Sequence, residues 1–275
     1  MTTSPAPVPA PTDDARGVLD AQRLFSEVRF ERFAPSAGLA PVVSWFWVVE
    51  WDRREAGPCE QYTLPHPVVN VVLAPEYARV YGVMRRRFAR RLEGRGRAVA
   101  AKFRPGGFRD LLGGPLSAIT ERDLPAAQVL GDAVTSLHRT IDGLTTPDAV
   151  AALDALLLAR AGGAPAEHPV TKVAELAADD SSITRVEHLA DRTGWSPRQL
   201  QRMFADAVGV GPKWVIRRHR LLEAAEHARV DAAPDWARVA HDLGFSDQAH
   251  LVRSFTELVG VPPARYARDG VAGAR

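Results

Sequence analysis

The hydrophobic rhythm of the chain changes once, near its middle. From about Phe25 to Leu130, apolar residues come in short runs rich in β-branched and aromatic side chains: VVSWFWVVEW (Val42–Trp51), HPVVNVVLA (His66–Ala74), ARVYGV (Ala78–Val83) and RAVAAKFR (Arg97–Arg104). Such side chains suit a pleated, half-buried surface. Turn-forming clusters separate the runs, at Arg54–Pro58, Ala74–Tyr77, Glu93–Gly96 and Arg104–Gly107. Many short strands in succession predict a sandwich or a small barrel. After Gly131, apolar residues recur at three- and four-residue steps, in DAVTSLHRTIDGL and DAVAALDALLLARA, which is the helical period. GGAPAEHP (Gly162–Pro169) reads as a linker, and the chain from there to about Tyr266 reads as short helices. The expected class is α+β, with a β-rich N-terminal domain, a helical connector and an all-α C-terminal domain. The expected boundaries are a disordered tail over 1–20, the first domain with its connector over 21–165, and the helical domain over 166–275.

The helical part contains an internal repeat. Val186, Leu189, Ala190, Gly194, Trp195 and Ser196 recur at an offset of 50 as Trp236, Val239, Ala240, Gly244, Phe245 and Ser246. One residue is then inserted, and Phe204, Val208, Gly209 and Val210 match Phe255, Val259, Gly260 and Val261. Each copy predicts a helix, a tight corner and a second helix. Gly194 and Gly244 fall where the first helix must stop, and glycine tolerates the left-handed backbone such a corner needs. Trp195 and Phe245 can plug the corner, while Ser196 and Ser246 are candidate N-caps. In the second helix of copy one, Leu200 and Phe204 face inward, leaving Arg198, Gln201 and Arg202 outward. In copy two, Leu251 and Phe255 face inward, and Gln248, His250 and Arg253 can point out.

A helix-turn-helix places its second helix in the DNA major groove. Arg can bond guanine O6 and N7 together, and Gln can bond adenine N6 and N7. The serine and free amides at such a helix start also suit a phosphate. One copy alone is equally a packing solution with a solvated polar face. Two copies with matched corners favour DNA reading. Between them, PKWVIRRHRLLEAAEHARV (Pro212–Val230) lacks glycine and internal proline. As a helix it would hold the two reading helices about one DNA turn apart. Residues 196–229 hold seven Lys/Arg against three acids, yet residues 166–275 hold 15 of each, so the DNA reading rests on clustering rather than bulk charge.

From about residue 168 to 268 the chain resembles the DNA-binding domain of the AraC/XylS family of bacterial transcription regulators. VEHLADRTGWSPRQLQRMF, VGVGPKWVIRRHRLLEAAEHA, VAHDLGFSDQAHLVRSF and VGVPPARY carry the resemblance. It implies seven helices with two helix-turn-helix units joined by one long helix. It also implies base readers at Arg198, Gln201 and Arg202, with Gln248, His250 and Arg253 in the second unit. His250 departs from the small or polar residues often found there, which suits a backbone contact. Ser196 and Ser246 would meet phosphates, and Arg217 and Arg218, near the start of the long helix, are candidates for the same role. The resemblance implies a cupin-like sensor domain over residues 25–130, with a small-molecule effector, RNA polymerase and a second copy of the chain as partners beside double-stranded DNA.

Within that first domain, Trp45, Trp47, Tyr62, His66, Asn70 and Tyr81 form an aromatic and polar set on successive strands. They are the candidate effector site, against ordinary core packing. The stretch Arg85–Arg104 carries nine Lys/Arg and one acid. It suits an anionic effector or DNA phosphates, but reads first as a charged hairpin guarding a sheet edge. A cupin metal set is missing, since His66 stands alone until His138, so neither metal nor cofactor is expected. No G-x-S-x-G, P-loop or C-x-x-C is present. Cys59, in an expected loop, reads as an inert residue rather than a redox sensor. A single cysteine fits a reducing cytoplasm, and no apolar run approaches the roughly 20 residues of a membrane span. Net charge of +2 names no partner. Three functions stay open: an effector-controlled regulator, a regulator whose first domain only dimerises or docks a protein, and an enzyme fused to a DNA-binding tail.

Overall fold

The computed structural model of the protein describes residues 28–231 and 233–272; the expected tail over 1–20 lies outside them. The N-terminal half contains β1 (Val28–Phe33), β2 (Val43–Asp52), β3 (Cys59–Thr63), β4 (Asn70–Ala74), β5 (Tyr77–Tyr81), β6 (Phe88–Leu92), β7 (Arg95–Phe103) and β8 (Asp123–Pro125). Six of these form one antiparallel sheet in the order β1-β2-β7-β4-β5-β8, while β3 and β6 pair as a separate two-stranded sheet. Alternation along the strands gives the large sheet two apolar faces. Phe46, Val48, Val71, Leu73, Val99 and Phe103 pack with Val134, Leu153 and Leu157 on one side. Trp51, Val72, Ala98 and Ala100 pack with Leu92 of β6 on the other. The helices of this half are α1 (Arg109–Leu112), α2 (Ala126–Leu130), α3 (Asp132–Thr140) and α4 (Thr146–Arg160).

The expected strand runs are strands, with trimmed ends. The second begins only at Asn70, after Pro67, which has no amide for a ladder. Cys59 is not in a loop: it opens β3 and packs against the second face. The basic stretch is not a hairpin on an edge. β6 belongs to the small sheet, and β7 lies between β2 and β4 inside the large one. Its Ala98–Phe103 stretch is mostly buried apolar surface, which outweighs its charged beginning.

The C-terminal half contains α5 (Pro169–Asp179), α6 (Val186–Thr193), α7 (Pro197–Ala207), α8 (Pro212–Val230), α9 (Trp236–Asp242), α10 (Gln248–Val259) and α11 (Pro263–Ala272). They build two small cores. Val170, Val173, Leu189, Leu200 and Phe204 close the first with Val215 and Ile216 from α8. Trp236, Phe245, Leu251, Phe255 and Leu258 close the second with Leu221, Leu222 and Ala225 from the same helix. Each core also takes one residue from the N-terminal half, Val83 in the first and Leu64 in the second, so the halves are docked through apolar burial. Around these residues Arg104 pairs with Glu167 at 2.9 Å and Glu175 at 2.5 Å, and Arg109 with Asp206 at 2.9 Å. Such half-exposed pairs contribute roughly 0–1 kcal/mol each and chiefly fix orientation. Among the described residues, no helix is long and apolar enough to cross a membrane.

Candidate DNA-binding site

The first corner is built as its sequence demands. Gly194 ends α6 at φ 71°, a conformation costly for any residue with a Cβ. Ser196 then caps α7. Its hydroxyl accepts the Gln199 amide N–H at 3.4 Å, and the Gln199 Oε1 accepts the Ser196 amide N–H at 2.8 Å, a reciprocal box that satisfies free donors at the helix start. Pro197 fills the first helical position, and Leu200 and Phe204 are fully buried. The opposite face leaves Arg198, Gln201 and Arg202 exposed. Besides Val83 in its core, the N-terminal half touches the far end of this unit: the Thr120 hydroxyl donates to the Gly209 carbonyl at 2.6 Å, and Arg109 holds Asp206. A Cβ at Gly209 would stand 2.8 Å from the Thr120 oxygen, so glycine permits this close approach. The outward face of α7 stays open.

The second corner departs from its expected cap. Asp247, not Ser246, caps α10: its Oδ1 accepts the His250 amide N–H at 2.6 Å. Ser246 precedes the cap and donates to Asp247 Oδ2 at 3.2 Å. The single inserted residue, which breaks the repeat offset, moves the capping position along by one. Bonding to the His250 N–H, and then to Ser246, holds the Asp247 carboxyl below its ordinary pKa. Gln248 and Arg253 are exposed. His250 is half-buried, its ring edge-on to Phe245 at 5.3 Å and its Nδ1 3.1 Å from the Ser246 hydroxyl. That posture ties His250 to the corner.

The long helix α8 holds both units, with one correction. Arg218 does not face outward as a phosphate contact. It is 3% exposed, donating from Nε to the Pro65 carbonyl and from Nη2 to His66 Nδ1 at 2.9 Å. Burial, followed by the nearby Lys102 and Arg218 charges, pushes the His66 pKa well below its ordinary value. His66 is therefore neutral and accepts at Nδ1. Arg217 is half-buried in a cleft that α8 shares with the N-terminal half. Arg220 is also buried, donating to the Ala177 carbonyl at 3.3 Å and pairing with Glu223 at 3.1 Å; it ties α8 to the end of α5. Two arginines counted toward the basic patch are thus internal fastenings, which the spacing of a helix packed on several sides conceals.

Two regions of the chain match known families: residues 31–125 match a domain of unknown function (DUF6597), and residues 189–269 match a helix-turn-helix domain. The chain is 31% identical over 88 residues to the multiple antibiotic resistance protein MarA of Escherichia coli, covering 32% of this chain and 68% of that protein. It belongs to the AraC/XylS family of DNA-binding transcription regulators. It is also 33% identical over 84 residues to the HTH-type transcriptional regulator Rv1931c of Mycobacterium tuberculosis, and 31% identical over 90 residues to a Streptomyces lividans protein named "Putative AraC-like transcription regulator". These two matches cover 30% and 33% of this chain, and only about a third of each relative, 32% and 29%.

In this AraC-family chain, the sheet places three of the six expected effector residues in one row. Trp45 pairs with Lys102, Lys102 with Asn70, and Asn70 with Tyr81 across β2, β7, β4 and β5, so the four side chains share a face. Lys102 Nζ lies 4.1 Å over the Trp45 ring, and the Trp47 indole N–H donates to Asn70 Oδ1 at 3.3 Å. Tyr62, on β3, sits beneath the Arg87 guanidinium at 4.5 Å. His66 leaves the set for the junction with Arg218. Sequence reasoning missed Lys102 as a member of the row; its place directly opposite Trp45 depends on strand register, which no local signal carries.

Proposed function

We propose that this AraC-family regulator reads two successive major grooves, with α7 and α10 as the reading helices. Arg198, Gln201 and Arg202 are the base readers of the first groove, and Gln248 and Arg253 those of the second; His250 and Ser246 complete the second corner beside the DNA backbone. The domain that binds DNA is residues 166–275. The observation that carries the reading is the pair of exposed polar faces, Arg198/Gln201/Arg202 and Gln248/Arg253, on two similarly built corners joined by α8. Arg and Gln match the hydrogen-bonding pattern of purine edges in that groove. The N-terminal half, residues 21–165, controls the reading through a small molecule. That part is supported by its docking onto both cores through Val83 and Leu64. Bound to its promoter, the protein meets RNA polymerase.

Genome-wide mapping of bound sites, followed by binding of the purified chain to the recovered sequence, tests this. The expected site has two contacted segments about one helical turn apart, centre to centre. A protected region of a single half-turn would refute the two-groove reading.

A further inference from the structure

Between the two halves lies a cleft of about 300 Å³, at the lower end of the roughly 300–1,000 Å³ range of small-molecule sites. Three parts of the fold wall it. The N-terminal half supplies Arg85, Arg86 and Glu121, α8 supplies Trp214 and Arg217, and α10 supplies Glu257. The side chains of Arg85, Arg86 and Arg217 form no ion pair among the described residues, while Arg218, which also lines the cleft, has its guanidinium engaged by the Pro65 carbonyl and His66. Of the two carboxylates, Glu121 is already engaged by the Arg85 amide N–H. Glu121 is also the one non-glycine residue at positive φ, 60°, among the described residues. Residues held in such a conformation concentrate at binding sites.

We propose that this cleft binds a small organic dianion, a phosphate monoester or dicarboxylate. The planar guanidinium fork matches either group with two parallel hydrogen bonds. Several such forks facing one space favour a doubly charged ligand over a single charge, and the Trp214 ring offers a flat wall for its organic body. This deepens the effector-controlled reading above and rests on it for its consequence. A ligand held here touches the N-terminal half, the connecting helix and the second reading helix together. Whatever factor it imposes on DNA affinity, DNA imposes on its affinity in return. The shared chemistry has a second source, the phosphates of DNA itself, and the experiment separates the two.

Pyrophosphate and citrate serve as probes on the full chain, in calorimetry and thermal melting, against sodium chloride at equal ionic strength. The expected result is a raised melting temperature with at least one probe, and an affinity at least tenfold weaker in Arg86→Ala and in Arg217→Ala. Both residues have solvent-accessible side chains, so these variants keep the fold. Arg202→Ala keeps the wild-type probe affinity, so a failure of base reading is seen separately, on DNA alone. No effect of either probe beyond that of chloride overturns the proposal, as does a probe affinity unchanged in both arginine variants. A fall in duplex affinity with a flattened salt dependence in Arg86→Ala also overturns it, by assigning these arginines to the DNA backbone.

Discussion

The first helix-turn-helix unit caps its reading helix with a hydroxyl and a glutamine; the second uses a carboxylate. Both share a glycine corner, an aromatic plug and an inward Leu/Phe pair at four-residue spacing. The shared parts hold a helix at a fixed angle, and the residues that differ lie mainly on its outer surface or at its start, apart from buried exchanges such as Ala207 for Leu258. The first face presents two arginines and a glutamine. The second presents one arginine and a glutamine between Asp247 and Glu257, and its histidine is drawn into the corner. The frame and the outer surface are therefore separable, and positive charge on the two outer faces is concentrated in the first unit.

The strongest way to break this comparison is through the inward pair. Phe204→Ala and Phe255→Ala should each cost about 3–5 kcal/mol of stability, read from denaturant midpoints. Because α8 walls both cores, each variant should lower one common transition; two separated transitions would show the units to be independent. Next comes the reading surface. Arg202→Ala should cost about 1–3 kcal/mol in specific DNA binding and relax one base position, while Arg253→Ala should cost less. Competition against a randomised duplex pool measures both, and an equal loss would remove the asymmetry between the faces.

The caps sharpen the comparison on a smaller scale. Ser196→Ala should cost about 1 kcal/mol at any pH. The Asp247 cap has a lowered pKa, so its stabilisation is complete above the ordinary carboxylate value and is lost as pH falls through the native one. Acid below about pH 4 should therefore weaken the second corner before the first, seen as earlier amide exchange at the start of α10. A gentler acid effect belongs to the junction. His66 is neutral in the native state with a lowered pKa, so the contribution is intact above the unfolded value of about 6.5 and declines below it. Melting temperature should drift downward below that pH, and His66→Gln should flatten the drift.

The double corner was legible because its signals are local: glycine, aromatic, cap and helical spacing all sit within a dozen residues. The buried strands were legible for the same reason. β3 and β6 were not, because CEQYT and FARRL lie in a thin outer layer and carry too little apolar alternation. Arg218 and Arg220 misled because charge on a helix is read as exposure, and only the docking of α5 and of the Pro65–His66 segment decides otherwise. The interdomain cleft joins residues from Arg85 to Glu257, a separation that no pattern along the chain spans.

Helix α8 supplies a wall to each of two cores, and this has a consequence for how the molecule is made. When residues up to Val210 have left the ribosome, the first corner still lacks Val215, Ile216 and the Arg220 fastening. It cannot close until the rod that also serves its twin has followed it out. Synthesis thus seals the first unit only once the rod has emerged, and a nascent chain stopped before it holds one unsealed half of the pair.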